Sequence, residues 1–102
     1  MYGFQAEPTP IESNNLRRLS SLKQHFPGYK FGFMDHAAGN SDDAMLLALL
    51  SLPFGVACIE KHISLDRLLE LEDYVSALAP EQFQIFVQRI RHIEKALGSG
   101  SV

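Results

Sequence analysis

The sequence predicts an α/β fold of three consecutive βα units with parallel strands, and two observations carry that prediction. Short apolar strand candidates begin near residues 2, 30 and 56, and each is followed by a stretch with helical spacing. Proline and glycine then punctuate the helix ends, as Pro27-Gly28, Pro53 with Gly55, and Gly98. Strands alternating with helices in one short chain imply a parallel sheet with right-handed crossovers.

The first strand candidate is Tyr2-Gly3-Phe4-Gln5, ended by Pro8-Thr9-Pro10. A helix is expected from residue 13 or 14 to residue 25, because Leu16, Leu19, Leu22 and Phe26 recur at spacings of three and four. The second strand is Lys30-Phe31-Gly32-Phe33-Met34, running into Asp35-His36. After the loop at Gly39-Asn40, Ser41 is the expected N-cap, with Asp42 and Asp43 in the electropositive first turn. The helix at 44–52 is apolar almost all round and is expected to be buried on most sides.

The third strand, Val56-Ala57-Cys58-Ile59, is continuously apolar, which suits a strand buried on both faces, and it runs into Glu60-Lys61-His62. Residues 65–71 fit a helical turn or an extended loop equally well. From Pro80 the pattern is helical again, with Glu81 in the first turn and Phe83, Phe86, Val87, Ile90, Ile93 and Leu97 along one face. Gly98 is the expected stop. The remaining Ser99-Gly100-Ser101-Val102 has linker composition, so the expected organisation is one domain at 1–98 and a flexible tail at 99–102.

Composition excludes several function classes. The 102 residues are 46% hydrophobic and 21% charged, ordinary for one globular domain with a modest core. A formal net charge of -3 with scattered basic residues argues against nucleic-acid binding. No apolar run is long enough to span a bilayer, and the first residues lack the basic and apolar segments of a signal peptide, so a soluble, cytoplasmic protein with no membrane partner is expected. Cys58 is the only cysteine, and its apolar neighbours predict a buried, inert thiol.

Functional groups in parallel α/β folds gather at the carboxyl ends of strands. Two of the three strands end in a histidine beside a carboxylate, Asp35-His36 and Glu60-Lys61-His62, and neighbouring parallel strands would bring both to one rim. Two histidines with nearby carboxylates suit a divalent metal with positions open to substrate. The alternative is that each is a hydrogen-bonded structural group, since no compact ligand motif is present. Lys61 reads as an ion-pair partner, and His25 and His92 as surface residues. There is no glycine-rich phosphate loop, Ser20-Ser21 and Ser64 lack a nucleophile-elbow context, and Leu46-Leu47-Ala48-Leu49-Leu50 reads as core.

Taken together, these segments resemble the N-acetylneuraminate (sialic acid) synthases. Gly32-Phe33-Met34-Asp35-His36 looks like that family's glycine-tyrosine-serine-aspartate-histidine-threonine motif. Ile59-Glu60-Lys61-His62-Ile63-Ser64-Leu65-Asp66-Arg67 resembles its second signature. Gly3-Phe4-Gln5-Ala6-Glu7-Pro8-Thr9-Pro10 with Asn15-Leu16-Arg17 is similar to its sixth-strand segment. Ser76-Ala77-Leu78 through Pro80, then Ile93-Glu94-Lys95-Ala96-Leu97-Gly98, is similar to its closing helix.

The resemblance implies that the three units are the C-terminal portion of a TIM (β/α)8 barrel. It also implies an enzyme that condenses phosphoenolpyruvate with an N-acetylated mannose-type amino sugar and releases phosphate, in nonulosonic (sialic) acid biosynthesis. His36 and His62 match the family's ligands to a divalent ion, Mn2+ or Mg2+, which would polarise the open-chain sugar aldehyde while C3 of phosphoenolpyruvate attacks it. Glu60 matches the acidic residue beside the second ligand, the candidate catalytic group. Gln5, Asp35 and Asp73 take substrate-binding positions, Asp73 on the sugar.

The chain departs from the pattern at Met34, where a serine usually helps to bind phosphate, and at Ala37, Glu7 and Tyr74. Residues 69–72 lack the family's glycine-proline. A full barrel has eight units, and the family's phosphoenolpyruvate lysines and C-terminal antifreeze-like domain have no counterpart here. The expectation is a fragment, inactive alone, that self-associates or joins a missing barrel half to cover its sheet edges. A rival expectation is a non-catalytic α/β interaction module derived from that barrel.

Overall fold

Gly32–Met34 (β1) and Cys58–Glu60 (β2) pair in parallel, with Gly32 opposite Cys58, Phe33 opposite Ile59 and Met34 opposite Glu60. In this computed structural model residues 1–3, 8–65 and 74–101 are described. Parallel neighbours need a crossover, and the helix Asp43–Ser51 (α2) supplies it. It is preceded in the chain by Arg18–His25 (α1), and the chain closes with Pro80–Leu97 (α3).

Tyr2 lies along the other edge of β1 as an isolated parallel bridge to Phe33. Its N–H donates to Gly32 O at 2.8 Å, and Met34 N–H donates to Tyr2 O at 2.9 Å. This is the described part of the first strand candidate; its Phe4 and Gln5 lie outside the described residues. A second parallel bridge, Ile63 to Leu78, follows β2. The described sheet is therefore α/β and parallel, with two strands extended by bridges.

Two clusters form the core. Phe33, Ala37 and Leu47 pack with Tyr2, Leu16 and Val56, while Ala44, Ala48, Leu78 and Phe86 pack with Met45, Ile59, Phe83 and Ile90. The helix α2 serves both, because residues three and four apart share a face. Leu46 and Leu50 are 44% and 46% exposed, so the helix is covered on most sides, as expected, and open only along the Leu46–Leu50 stripe.

Other expectations shift for local reasons. The first helix begins at Arg18 rather than at residue 13 or 14. Asn15 takes a left-handed φ of 43°, which breaks the helical path, and Ile11–Ser13 forms a separate 3-10 turn. Ser41 does not cap α2 through its side chain; its hydroxyl donates to Ala38 O at 2.6 Å, and Asp42 is the N-cap residue. Gly55 ends the turn after α2 with φ of 75°, a conformation glycine adopts without a Cβ penalty.

The third strand is the clearest correction. The strand spans Cys58–Glu60 rather than residues 56–59, and Cys58 and Glu60 are exposed while Ile59 is half-buried. Continuous apolarity marks a strand covered on both faces, but side chains alternate along a strand. Here the face of Cys58 and Glu60 stays exposed, while Ile59 packs on the cluster of Ala44, Ala48, Leu78 and Phe86. Cys58 is accordingly an exposed free thiol, not a buried one.

The last helix matches its expected limits. Gln82 Oε1 accepts the Ala79 N–H at 2.9 Å at its start, and the Gly98 N–H donates to Glu94 O at 3.1 Å at its end. Phe86 is buried on its inner face, whereas Leu97 is 47% exposed. No helix among the described residues is long and apolar enough to cross a membrane.

Candidate functional site

The parallel register dictates what meets at the strand ends. Met34 faces Glu60, so one step further Asp35 meets Lys61, and two steps further His36 meets His62. The Lys61 ammonium donates to Asp35 Oδ1 at 2.8 Å, with the two side chains 1% and 0% exposed. The same oxygen accepts the Ala37 N–H at 3.0 Å. Asp35 Oδ2 is buried with no hydrogen-bond partner among the described residues.

The imidazoles of His36 and His62 lie edge to face, ring centroids 5.0 Å apart and planes inclined by 72°. His36 is buried and His62 half-buried. Each backbone carbonyl is held by a passing segment: Thr9 N–H donates to His36 O at 3.0 Å, and Leu78 N–H donates to His62 O at 3.0 Å. His62 Nδ1 lies 3.1 Å from the hydroxyl of Ser76, which is fully buried. Gly39 brings that segment close, since its N–H donates to Val75 O at 2.7 Å and a Cβ there would stand 2.0 Å from Ala77 O.

The structure thus brings together Asp35, His36, Lys61 and His62. Glu60 ends β2 and is exposed, and Asp35 turns its carboxylate inward to Lys61. Gln5 and Asp73 lie outside the described residues, as do Glu7 and residues 69–72. His25 and His92 are exposed, as expected. Among the described residues no three His, Cys, Asp or Glu side chains cluster as a ligand set. A groove of about 460 Å³ opens beside these residues, between β2 and α3, lined by Cys58, Ile59, Glu60, Lys61, Phe83 and Ile90 among others, and neither histidine lines it.

Sequence reasoning read Lys61 as an ion-pair partner, which the Asp35–Lys61 pair bears out, and missed Ser76. The signal for Lys61 was available, since Asp35 and Lys61 stand at equal offsets from paired strand ends. Ser76 carried no signal, because it reaches His62 only through the fold.

The model of the NeuB family matches residues 4–102 of this chain. The chain belongs to the NeuB family. This NeuB chain is 39% identical over 100 residues to an uncharacterized protein of Methanocaldococcus jannaschii, covering 98% of the chain and 28% of that protein. It is 36% identical over 97 residues to the pseudaminic acid synthase of Campylobacter jejuni, covering 95% of the chain and 26% of that enzyme. Its fold superposes with a TM-score of 0.85 on the N-acetylneuraminic acid (sialic acid) synthetase of Leptospira borgpetersenii, solved in complex with citrate. That match is 27% identical and covers 98% of this chain and 33% of the other. The NeuB chain spans about a quarter of the length of the curated relatives it matches.

Proposed function

We propose that this chain is the metal-bearing portion of a nonulosonic acid synthase, three βα units from the C-terminal part of a TIM (β/α)8 barrel. Residues 1–98 form the barrel portion and 99–102 the tail. The intact enzyme condenses phosphoenolpyruvate with an N-acetylated mannose-type sugar and releases phosphate. The observation that carries this reading is the juxtaposition of His36 and His62 at neighbouring strand ends, with ring centroids 5.0 Å apart.

The donor set fits a divalent cation in type and spacing. With ring centroids 5.0 Å apart, the two imidazoles would both reach a single divalent cation. Nitrogen donors favour Mn2+ over the harder Mg2+. A bound ion would supply Lewis-acid polarisation of the sugar carbonyl. The chain's own residues supply the rest. His36 and His62 hold the ion, Glu60 on the exposed end of β2 serves as a proton-handling or water-orienting carboxylate, and Gln5 and Asp73 bind substrate. Asp35 keeps Oδ1 on Lys61, and Oδ2, which has no hydrogen-bond partner among the described residues, is the oxygen left for substrate.

Calorimetric titration of the 102-residue chain with Mn2+ tests the reading. One ion per chain is expected, lost in both His36→Ala and His62→Ala. Binding in both variants as tight as in the wild type would refute the assignment.

A second reading is favoured by the exposed residues of β2, Cys58 and Glu60, beside the open groove against α3. It makes the chain a non-catalytic module that self-associates over that edge. Sedimentation would then show a concentration-dependent dimer, and calorimetry no Mn2+ binding.

A further inference from the structure

We infer that Ser76 is a positioning residue, whose hydroxyl holds His62 with its proton on Nδ1 and so makes Nε2 the nitrogen presented to a cation. The inference rests on the reading of His62 as a ligand. It adds a residue that neither the strand-end pattern nor the family motifs quoted above assign to the metal.

The geometry is that of a built support. Ser76 Oγ lies 3.1 Å from His62 Nδ1, and Ser76 is fully buried. The backbone around Ser76 is pinned on both sides. Val75 O accepts the Gly39 N–H at 2.7 Å, Ala77 N–H donates to Tyr74 O at 3.2 Å, and Leu78 N–H donates to His62 O at 3.0 Å. Ser64 N–H closes the bridge on Leu78 O at 2.9 Å. The loop at Gly39 admits this segment only because it lacks a Cβ, which would stand 2.0 Å from Ala77 O. The hydroxyl is therefore held at a fixed place relative to the His62 backbone, within hydrogen-bond reach of Nδ1.

A neutral imidazole carries a donor on one nitrogen and an acceptor on the other, and a metal ligates only the unprotonated one. A serine hydroxyl has two acceptor sites, so Ser76 Oγ can take the Nδ1 proton into a hydrogen bond. The hydroxyl could instead donate to a bare Nδ1, but the proton would then sit on Nε2. Only Nδ1–H donating to Ser76 Oγ leaves Nε2 open to a cation, so His62 as a ligand selects that direction. Groups of this kind behind a ligating histidine alter metal affinity by about 10–100-fold when removed.

The test reads the tautomer and the affinity separately. Nitrogen-15 NMR of the metal-free chain, at a pH where the imidazole is neutral, reports which His62 nitrogen carries the proton; Mn2+ calorimetry reports affinity. The wild type should show Nδ1–H. Ser76→Ala should shift the proton toward Nε2 and weaken Mn2+ by about 10–100-fold. Ser76→Thr, which keeps the hydroxyl, should restore both. An Nε2–H tautomer in the wild type, or one unchanged in Ser76→Ala, overturns the inference. A tautomer that follows Ser76 in a chain that binds no Mn2+ upholds the hold of Ser76 on His62 and removes the metal reading instead.

Discussion

Lys61 donates to Asp35 Oδ1 at 2.8 Å across the paired ends of β1 and β2, with both side chains withdrawn from solvent. The pair stands one residue before the two histidines, so it clamps the strand ends from which His36 and His62 project. An ion pair so deep is poor at adding stability over an apolar pair, but removing one partner strands a buried charge.

Lys61→Met should therefore lower the unfolding free energy by about 3–5 kcal/mol, because Asp35 would lose its buried cationic partner. Adding Asp35→Leu to that variant should recover much of the loss. Urea unfolding of the single and double variants checks this. Equal losses in both would mean that Asp35 finds another partner.

Gly39→Ala should destabilise the chain by about 1–3 kcal/mol, since the new Cβ must displace the Ala77 carbonyl that stands 2.0 Å from its position. Gly28 serves as the comparison, because a methyl added there would meet nothing within 4 Å and only its positive φ of 87° opposes the change. Ala there should lose only about 1 kcal/mol, for backbone conformation alone. Thermal or urea unfolding of the two variants separates packing from backbone strain.

Phe86 seats α3 on the cluster of Ala44, Ala48 and Leu78. Phe86→Ala should lower stability by about 3–5 kcal/mol. Leu97→Ala, on the exposed end of the same helix, should stay within about 0.5 kcal/mol of the wild type. Circular dichroism during urea titration distinguishes this from a helix that docks along its full length.

Cys58 is exposed on β2. One thiol per chain should react with an aromatic disulfide reagent under native conditions, at a rate within reach of that of the unfolded chain. A native rate slower by orders of magnitude, recovering on dilution, would show that the edge of β2 is covered by association.

Much of the architecture was legible because it depends on local pattern. The face of α3 follows from its 3.6-residue period, its start from Pro80 and its end from Gly98. The meeting of His36 and His62 followed from two similar strand ends and the assumption of parallel neighbours. The exposure of Cys58 and of Leu46 and Leu50 was not legible, since apolar composition states what a segment can bury and not whether a partner is there to cover it. Asn15 interrupted the first helix through its own backbone conformation, which no apolar spacing records.

By itself the sequence determined the order of strands and helices, the punctuation between them, and which histidines stand at strand ends. Those features are set by side-chain periodicity and by the backbone preferences of glycine and proline, which act over a few residues. Only the tertiary structure decided that Asp35 faces Lys61, that Gly39 admits the segment at 75–77, and that Ser76 stands behind His62. Each of these joins residues far apart in the chain, and such contacts exist only once strand register and close packing have set where each backbone runs.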